Sequence, residues 1–368
     1  MRFLLVATLA LLPAVELTSL GCGGSGSLSP PKSDNQSDDP CDPGGGGSTV
    51  GPAPAVDAGA APVVLPDGSP GIGFDELRFS GTLSMLLVPA GRTGDLDLID
   101  PSSEAISPVG GFSTSAAYSG DDTFGVTSAD EGNAYVYAVD RTSSTLAVID
   151  PKARAIVAKS TLAAVPGYVR YVAATKEVWV TEPSQHQIEV LSAPANATTA
   201  PTHSMVISIP AGGPESLEID AAGGRAYTNG TTSTIALDVT THAVAGQWPN
   251  GCTTSRGIAL DTANQWIVPV CEEGLVVVLS TQGATIGTAH TGGGVDQVSY
   301  DASRQRLYVP GAAASSMSVV SLSSMGVPTV LGSIQTTNDA HCAVSAGQGS
   351  VYVCAPSLGE LLFVTDPF

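Results

Sequence analysis

From residue 74 to residue 368 the chain repeats one pattern of short apolar strands seven times, and few folds are open to seven copies of such a unit. Each copy centres on a strand with an aromatic or large aliphatic anchor. The anchors are Leu87, Tyr135, Trp179, Tyr227, Ile267, Tyr308 and Tyr352, spaced 40 to 48 residues apart. A second strand follows each anchor, such as DLDLID (95–100), TLAVID (145–150), LVVVLS (275–280) and ELLFVTD (360–366). From Leu87 to Ile99, Trp179 to Leu191, Ile267 to Leu279, Tyr308 to Val320 and Tyr352 to Val364 the distance is 12 positions each time. A third strand precedes each anchor across a polar turn, such as DAAGG (220–224) or DASRQ (301–305), whose residue types favour tight reversals. Residues 74–90 align with 295–311 without a gap.

The variable stretch before the next copy supplies a fourth strand. A four-stranded sheet that is apolar on both faces cannot hide either face alone, but a closed ring of such sheets hides both. The sequence therefore predicts an all-β fold, a seven-bladed β-propeller of four-stranded antiparallel blades. No helical periodicity competes with it: apolar residues alternate or form short runs rich in Val, Ile and Tyr.

The Tyr-Val cores, the turns and the Val-Ile-Asp-Pro ending at Val148–Pro151 resemble the YVTN-repeat family of seven-bladed propellers, over about residues 74–368. The resemblance implies the fold and no particular chemistry, since that family includes surface and periplasmic proteins of diverse roles. The seventh copy stops at Phe368, just after its third strand. A three-stranded blade would leave an open edge. Pro62-Val63-Val64-Leu65 is the apolar run just ahead of the first blade, and it is expected to provide the missing outer strand.

Ahead of the repeats, composition divides the chain into a signal peptide (1–21), a Gly/Ser/Pro/Asp-rich flexible spacer (22–72) and the propeller (73–368). Arg2 and the apolar run Phe3–Val15 have the charge and length of a secretory signal, too short to span a bilayer. Gly21-Cys22 resembles a bacterial lipobox. That implies a lipid on Cys22 and an exported protein anchored to the outer membrane, on its periplasmic or surface face. The spacer has too little apolar content to bury a core. Net charge is −20, with 34 acidic and 14 basic residues and no basic cluster. Nucleic acid needs a basic footprint and is excluded as a partner on this ground. A protein or glycan partner in the envelope remains, for a chain expected to be monomeric.

Four of the six cysteines fall on corresponding hairpins. Cys342 and Cys354 are opposed across the turn near Gln348, and Cys252 and Cys271 flank the same hairpin of the fifth copy. In an exported chain this predicts the disulfides Cys252–Cys271 and Cys342–Cys354. A metal site of His341, Cys342 and Cys354 is the weaker reading, because His341 should point to the other sheet face. Cys41 has no evident partner.

No nucleophile elbow, zinc-protease, phosphate-loop or haem-attachment motif is present. What remains is a set of polar residues where the innermost strands begin: Asp75, Asp122, Glu215, Arg256, Asp296, Asp339 and His341. Converging at a channel mouth, they would bind Ca²⁺ or a polar ligand, or simply solvate the strand ends. No cofactor is otherwise expected. The sequence thus favours a non-catalytic binding or scaffold module. Two alternatives stand beside it: a purely structural envelope protein, and a propeller enzyme acting at the funnel, such as a lactone hydrolase or a quinoprotein-dehydrogenase-like subunit.

Overall fold

The computed structural model describes residues 55–368 apart from 195, 197, 198 and 211. The proposed signal peptide, Cys22, Cys41 and most of the spacer lie outside the described residues. Seven four-stranded antiparallel sheets follow one another in chain order. Their first strands are Arg78–Ser80, Val126–Gly132, Val169–Val172, Glu215–Asp220, Ser255–Asp261, Ser299–Asp301 and Ala343–Gly347. These seven strands touch their neighbours in sequence, the last meeting the first, so they form the inner wall of a closed ring.

Alternation along each strand sends successive side chains to opposite faces. Leu86 and Val88 pack toward blade 7, whereas Leu87 packs toward blade 2. Val136 and Ala138 face blade 1, whereas Tyr137 and Val139 face blade 3. The buried side chains accordingly form seven apolar clusters, one at each blade-to-blade interface. Each fully buried large aliphatic or aromatic side chain contributes about 1.5–3 kcal/mol.

The register corrects two anchors. In blade 2, Asn133 and Ala134 both take positive φ in a two-residue hairpin. That tight turn starts the second strand at Tyr135, which is half-buried, and the buried anchor is Tyr137. In blade 5, Ile267 packs against blade 4, and Val268 takes the position that faces blade 6. Asp100, Asp150 and Asp238 end third strands and accept hydrogen bonds from the amides two or three residues on, which fixes the turn into the fourth strand.

Blade 7 is completed from the other end of the chain, as expected. Ala61–Val64 pairs antiparallel with Glu360–Thr365, with Val63 opposite Leu361. Ala55–Val56 adds a parallel pairing onto the outer strand of blade 6, so the N-terminal stretch straps two blades together. The following turn is pinned by Arg92, whose guanidinium donates to the carbonyl oxygens of Asp67, Gly68, Ser69, Gly71 and Ser115. Val63, Leu65 and Ile72 are buried, so these residues of the compositional spacer belong to the packed ring. Val63 and Leu65 belong to the run expected to supply the outer strand, whereas Ile72 stands alone in Gly/Pro-rich sequence and gave no such signal.

Both disulfides form as expected, Cys252–Cys271 in blade 5 and Cys342–Cys354 in blade 7, with Cα–Cα distances of 5.3 and 5.5 Å.

Candidate functional site at the channel mouth

The inner strands begin at one end of the ring, here called upper, and side chains from that end converge over the channel. Asp75 of blade 1 meets Arg141 at 3.2 Å. Arg256 of blade 5 lies 2.7 Å from Glu272, 3.6 Å from Glu215 and 3.7 Å from Asp296. Asp122 reaches the same place from the loop between blades 1 and 2. Its carboxylate, that of Asp296 and the ring of His341 lie within 4.8 Å of one another. Asp122, Arg256, Glu272, Asp296 and His341 line one recess of about 310 Å³. Six of the seven residues read from the sequence are thus brought together. Asp339 stands at the side, accepting from the Ser357 amide at 2.6 Å, and it lines a neighbouring recess with Asp122 and His341.

Crowding of carboxyls in a partly dry site raises their pKa values. Burial raises Asp75 well above its ordinary value, opposed by Arg141 and reinforced by Asp122, Asp296 and Glu215. Glu215 is pushed up to about 7, by burial first and by the Asp296 charge next. Asp296 is raised by burial against the pull of His341 and Arg256. The Tyr168 phenol is raised well above its usual range by burial and by Asp75. The mouth therefore sets carboxyls of raised pKa beside the guanidiniums of Arg141 and Arg256 and the Tyr168 phenol.

The His341 ring is already committed. Nδ1 lies 2.7 Å from the Asp339 carbonyl oxygen and Nε2 lies 2.7 Å from that of Phe74. A backbone carbonyl oxygen thus faces each ring nitrogen, which leaves neither nitrogen open to a metal. Cys342 and Cys354 are bonded to each other. Neither grouping around His341 therefore fits a metal ion. Calcium wants six to eight oxygen ligands, and Asp122 and Asp296 sit beside Arg256 instead.

Deeper in the channel lies a set of charges that the sequence reading missed. Arg170 is fully buried and donates to Glu76, the backbone carbonyl of Val169 and, at 2.8 Å, Glu218. Glu76 also accepts from Ser128 at 2.5 Å. Arg78 bonds Asp130 at 2.7 Å and Glu218 at 2.8 Å. Gln297 reaches from blade 6 to bond the amide and carbonyl of Leu77 in blade 1. Together these side chains link blades 1, 2, 3, 4 and 6 across the interior of the ring. A signal was present: Glu76 and Gln297 occupy the same place in the ungapped alignment of 74–90 with 295–311.

No protein-family model matches the chain, and no curated protein sequence is significantly similar to it. Solved propellers superpose on it well. The chain is similar to hydrazine synthase of Kuenenia stuttgartiensis at 12% identity and TM-score 0.65, covering 81% of this chain and 96% of that one. It is similar to the Myceliophthora thermophila Cps50 (Swd1) propeller domain at 8% identity and TM-score 0.66, covering 80% and 96%. Virginiamycin B lyase from Staphylococcus aureus matches at 12% identity and TM-score 0.63, covering 83% and 99%. At these identities the likeness shows the fold alone.

Proposed function

We propose that this chain is a non-catalytic binding module of the YVTN-repeat kind, displayed on the bacterial envelope, whose upper funnel holds a hydroxyl-rich ligand such as a glycan. The observation that carries this reading is the mixture of groups at the mouth. Carboxyls raised by burial, two arginines and the Tyr168 hydroxyl offer paired donors and acceptors without a free metal-binding nitrogen. Vicinal hydroxyls need such pairs, and buried polar groups matched to them discriminate strongly. The leader-like residues 1–21, the candidate lipid site Cys22 and the spacer support display from the outer membrane.

One observation favours a catalytic alternative. A carboxyl titrating at about 7, as Glu215 does beside Arg256, can both give and take a proton at neutral pH.

Isothermal titration of the full chain against a glycan panel tests the proposal. Saturable binding that weakens about tenfold or more in Asp296→Asn and in Arg256→Gln is expected. Turnover of a lactone panel, lost in Glu215→Gln, would favour the enzyme instead. A captured protein partner indifferent to the funnel variants would place the binding surface elsewhere on the ring.

A further inference from the structure

The side chain opposite each anchor occupies an equivalent place around the channel. The pairs are Arg78 with Leu87, Asp130 with Tyr137, Arg170 with Trp179, Glu218 with Tyr227, Ala259 with Val268, Ser299 with Tyr308 and Val344 with Tyr352. Blades 1 to 4 thus contribute Arg, Asp, Arg and Glu at one level, while blades 5 to 7 contribute Ala, Ser and Val. The long charged side chains fill their half of the channel, and the short ones leave theirs hollow.

The hollow is a cavity of about 350 Å³, within the range of small-molecule sites. Most of its wall is polar, and Phe79, Leu260, Val298, Tyr300 and Val344 add apolar side chains to it. Its polar boundary is the Arg78–Glu218 pair, whose side chains are 26% and 20% exposed, against 1% and 2% for Arg170 and Glu76 behind them.

Charge decides what this boundary prefers. Arg78 and Arg170 bring two positive charges, while Glu76, Asp130 and Glu218 bring three negative ones, all within one bonded network. Burial acts to raise the Glu218 pKa, but the ion pairs with Arg170 and Arg78 outweigh it and leave the carboxyl below its ordinary value. It stays ionised, and the network is left one positive charge short. Arg78 and Glu218 are only partly buried, and a cation at the open side of Glu218 removes the imbalance. The net charge of −20 also draws cations toward the molecule.

We propose that the lower cavity is a second binding site, which takes a small organic cation: a primary ammonium with its nitrogen on Glu218 and its hydrocarbon body against Phe79, Leu260 and Tyr300. This site shares no lining residue with the upper recess, so the two are occupied independently.

Two probes of like shape and opposite charge test this by titration calorimetry with the full chain, 4-phenylbutylammonium and 4-phenylbutyrate. Saturable binding of the ammonium is expected, with the carboxylate binding at least about tenfold more weakly. Glu218→Gln leaves two positive and two negative charges in the network. It should lower ammonium affinity about tenfold while keeping the thermal transition single. Thr262→Trp, at the exposed rim of the cavity, should block binding without touching the network. Asp296→Asn in the upper funnel should leave ammonium affinity unchanged. Equal binding of both probes would overturn the proposal, as would ammonium binding that persists in folded Glu218→Gln and Thr262→Trp proteins.

Discussion

Asp97 shows how much one residue can cost in this fold. It lies on the third strand of blade 1, opposite Val88, on the face packed against blade 7, with no solvent exposure. Neither carboxylate oxygen has a hydrogen-bond partner among the described residues. Burial, with a smaller push from Asp95, raises its pKa from 3.8 to about 7. The folded state therefore holds a proton that the unfolded chain releases at lower pH, and stability falls as pH climbs between those two values. Asp97→Asn removes the ionisation and keeps the shape. Its advantage over the natural protein should grow from about pH 4 and level off above about pH 7, at on the order of 3–4 kcal/mol. Urea unfolding of both proteins across that range reads it, and a pH-independent difference would refute it. At this scale the sequence was half legible. Asp75 and Asp296 align in repeats 1 and 6, so their meeting at one mouth was foreseeable. Arg170 and Glu218 sit in apolar strands of different blades, and only ring closure makes them partners.

At the scale of the element, the strand Ala61–Val64 contributes through its position more than its size. It shields the edge of Glu360–Thr365 and places Val63 and Leu65 in the interface between blades 7 and 1. Deleting residues up to 65 should leave a three-stranded blade with a free apolar edge. The expected outcome is a lower melting midpoint together with concentration-dependent association in sedimentation velocity. A truncated chain that stays monomeric and melts as before would show that the ring closes without the strand. This element was legible because the last repeat lacked a fourth strand and one apolar run was available to fill the gap. The Ala55–Val56 pairing was not legible: two residues joined in parallel to blade 6 leave no periodic trace. Nor were the shifts to Tyr137 and Val268, since hairpin length sets the register and one residue reverses the face.

Over the whole molecule, each blade shares an apolar cluster with both neighbours, so no blade is terminal. An open array of repeats frays from its ends, whereas a closed ring has none. Tyr137→Ala, between blades 2 and 3, and Leu307→Ala, between blades 5 and 6, should each cost about 2–5 kcal/mol. Both should lower one common transition, seen alike by tryptophan fluorescence and far-ultraviolet circular dichroism. Separate transitions in either variant would mean that the ring unfolds in sectors. This closure was the most legible feature of all, because seven copies with two apolar faces leave no other way to hide both. The channel's contents were the least legible, since they depend on side chains that alternate out of the repeat.

The pairing of Ala61 with Phe363 has a consequence in time. Residues 61–64 leave the ribosome before any blade, and their partners follow only after six blades and most of the seventh. Six blades can be complete while this strand still waits, and the loop it closes spans the whole ring. Closing so long a loop adds little entropy beyond that of a moderate one, but it cannot begin before Glu360–Thr365 has been made. Until then the nascent chain is an open arc with two unsatisfied edges, and a chain in that state can still be threaded or handed on before the final strand locks it.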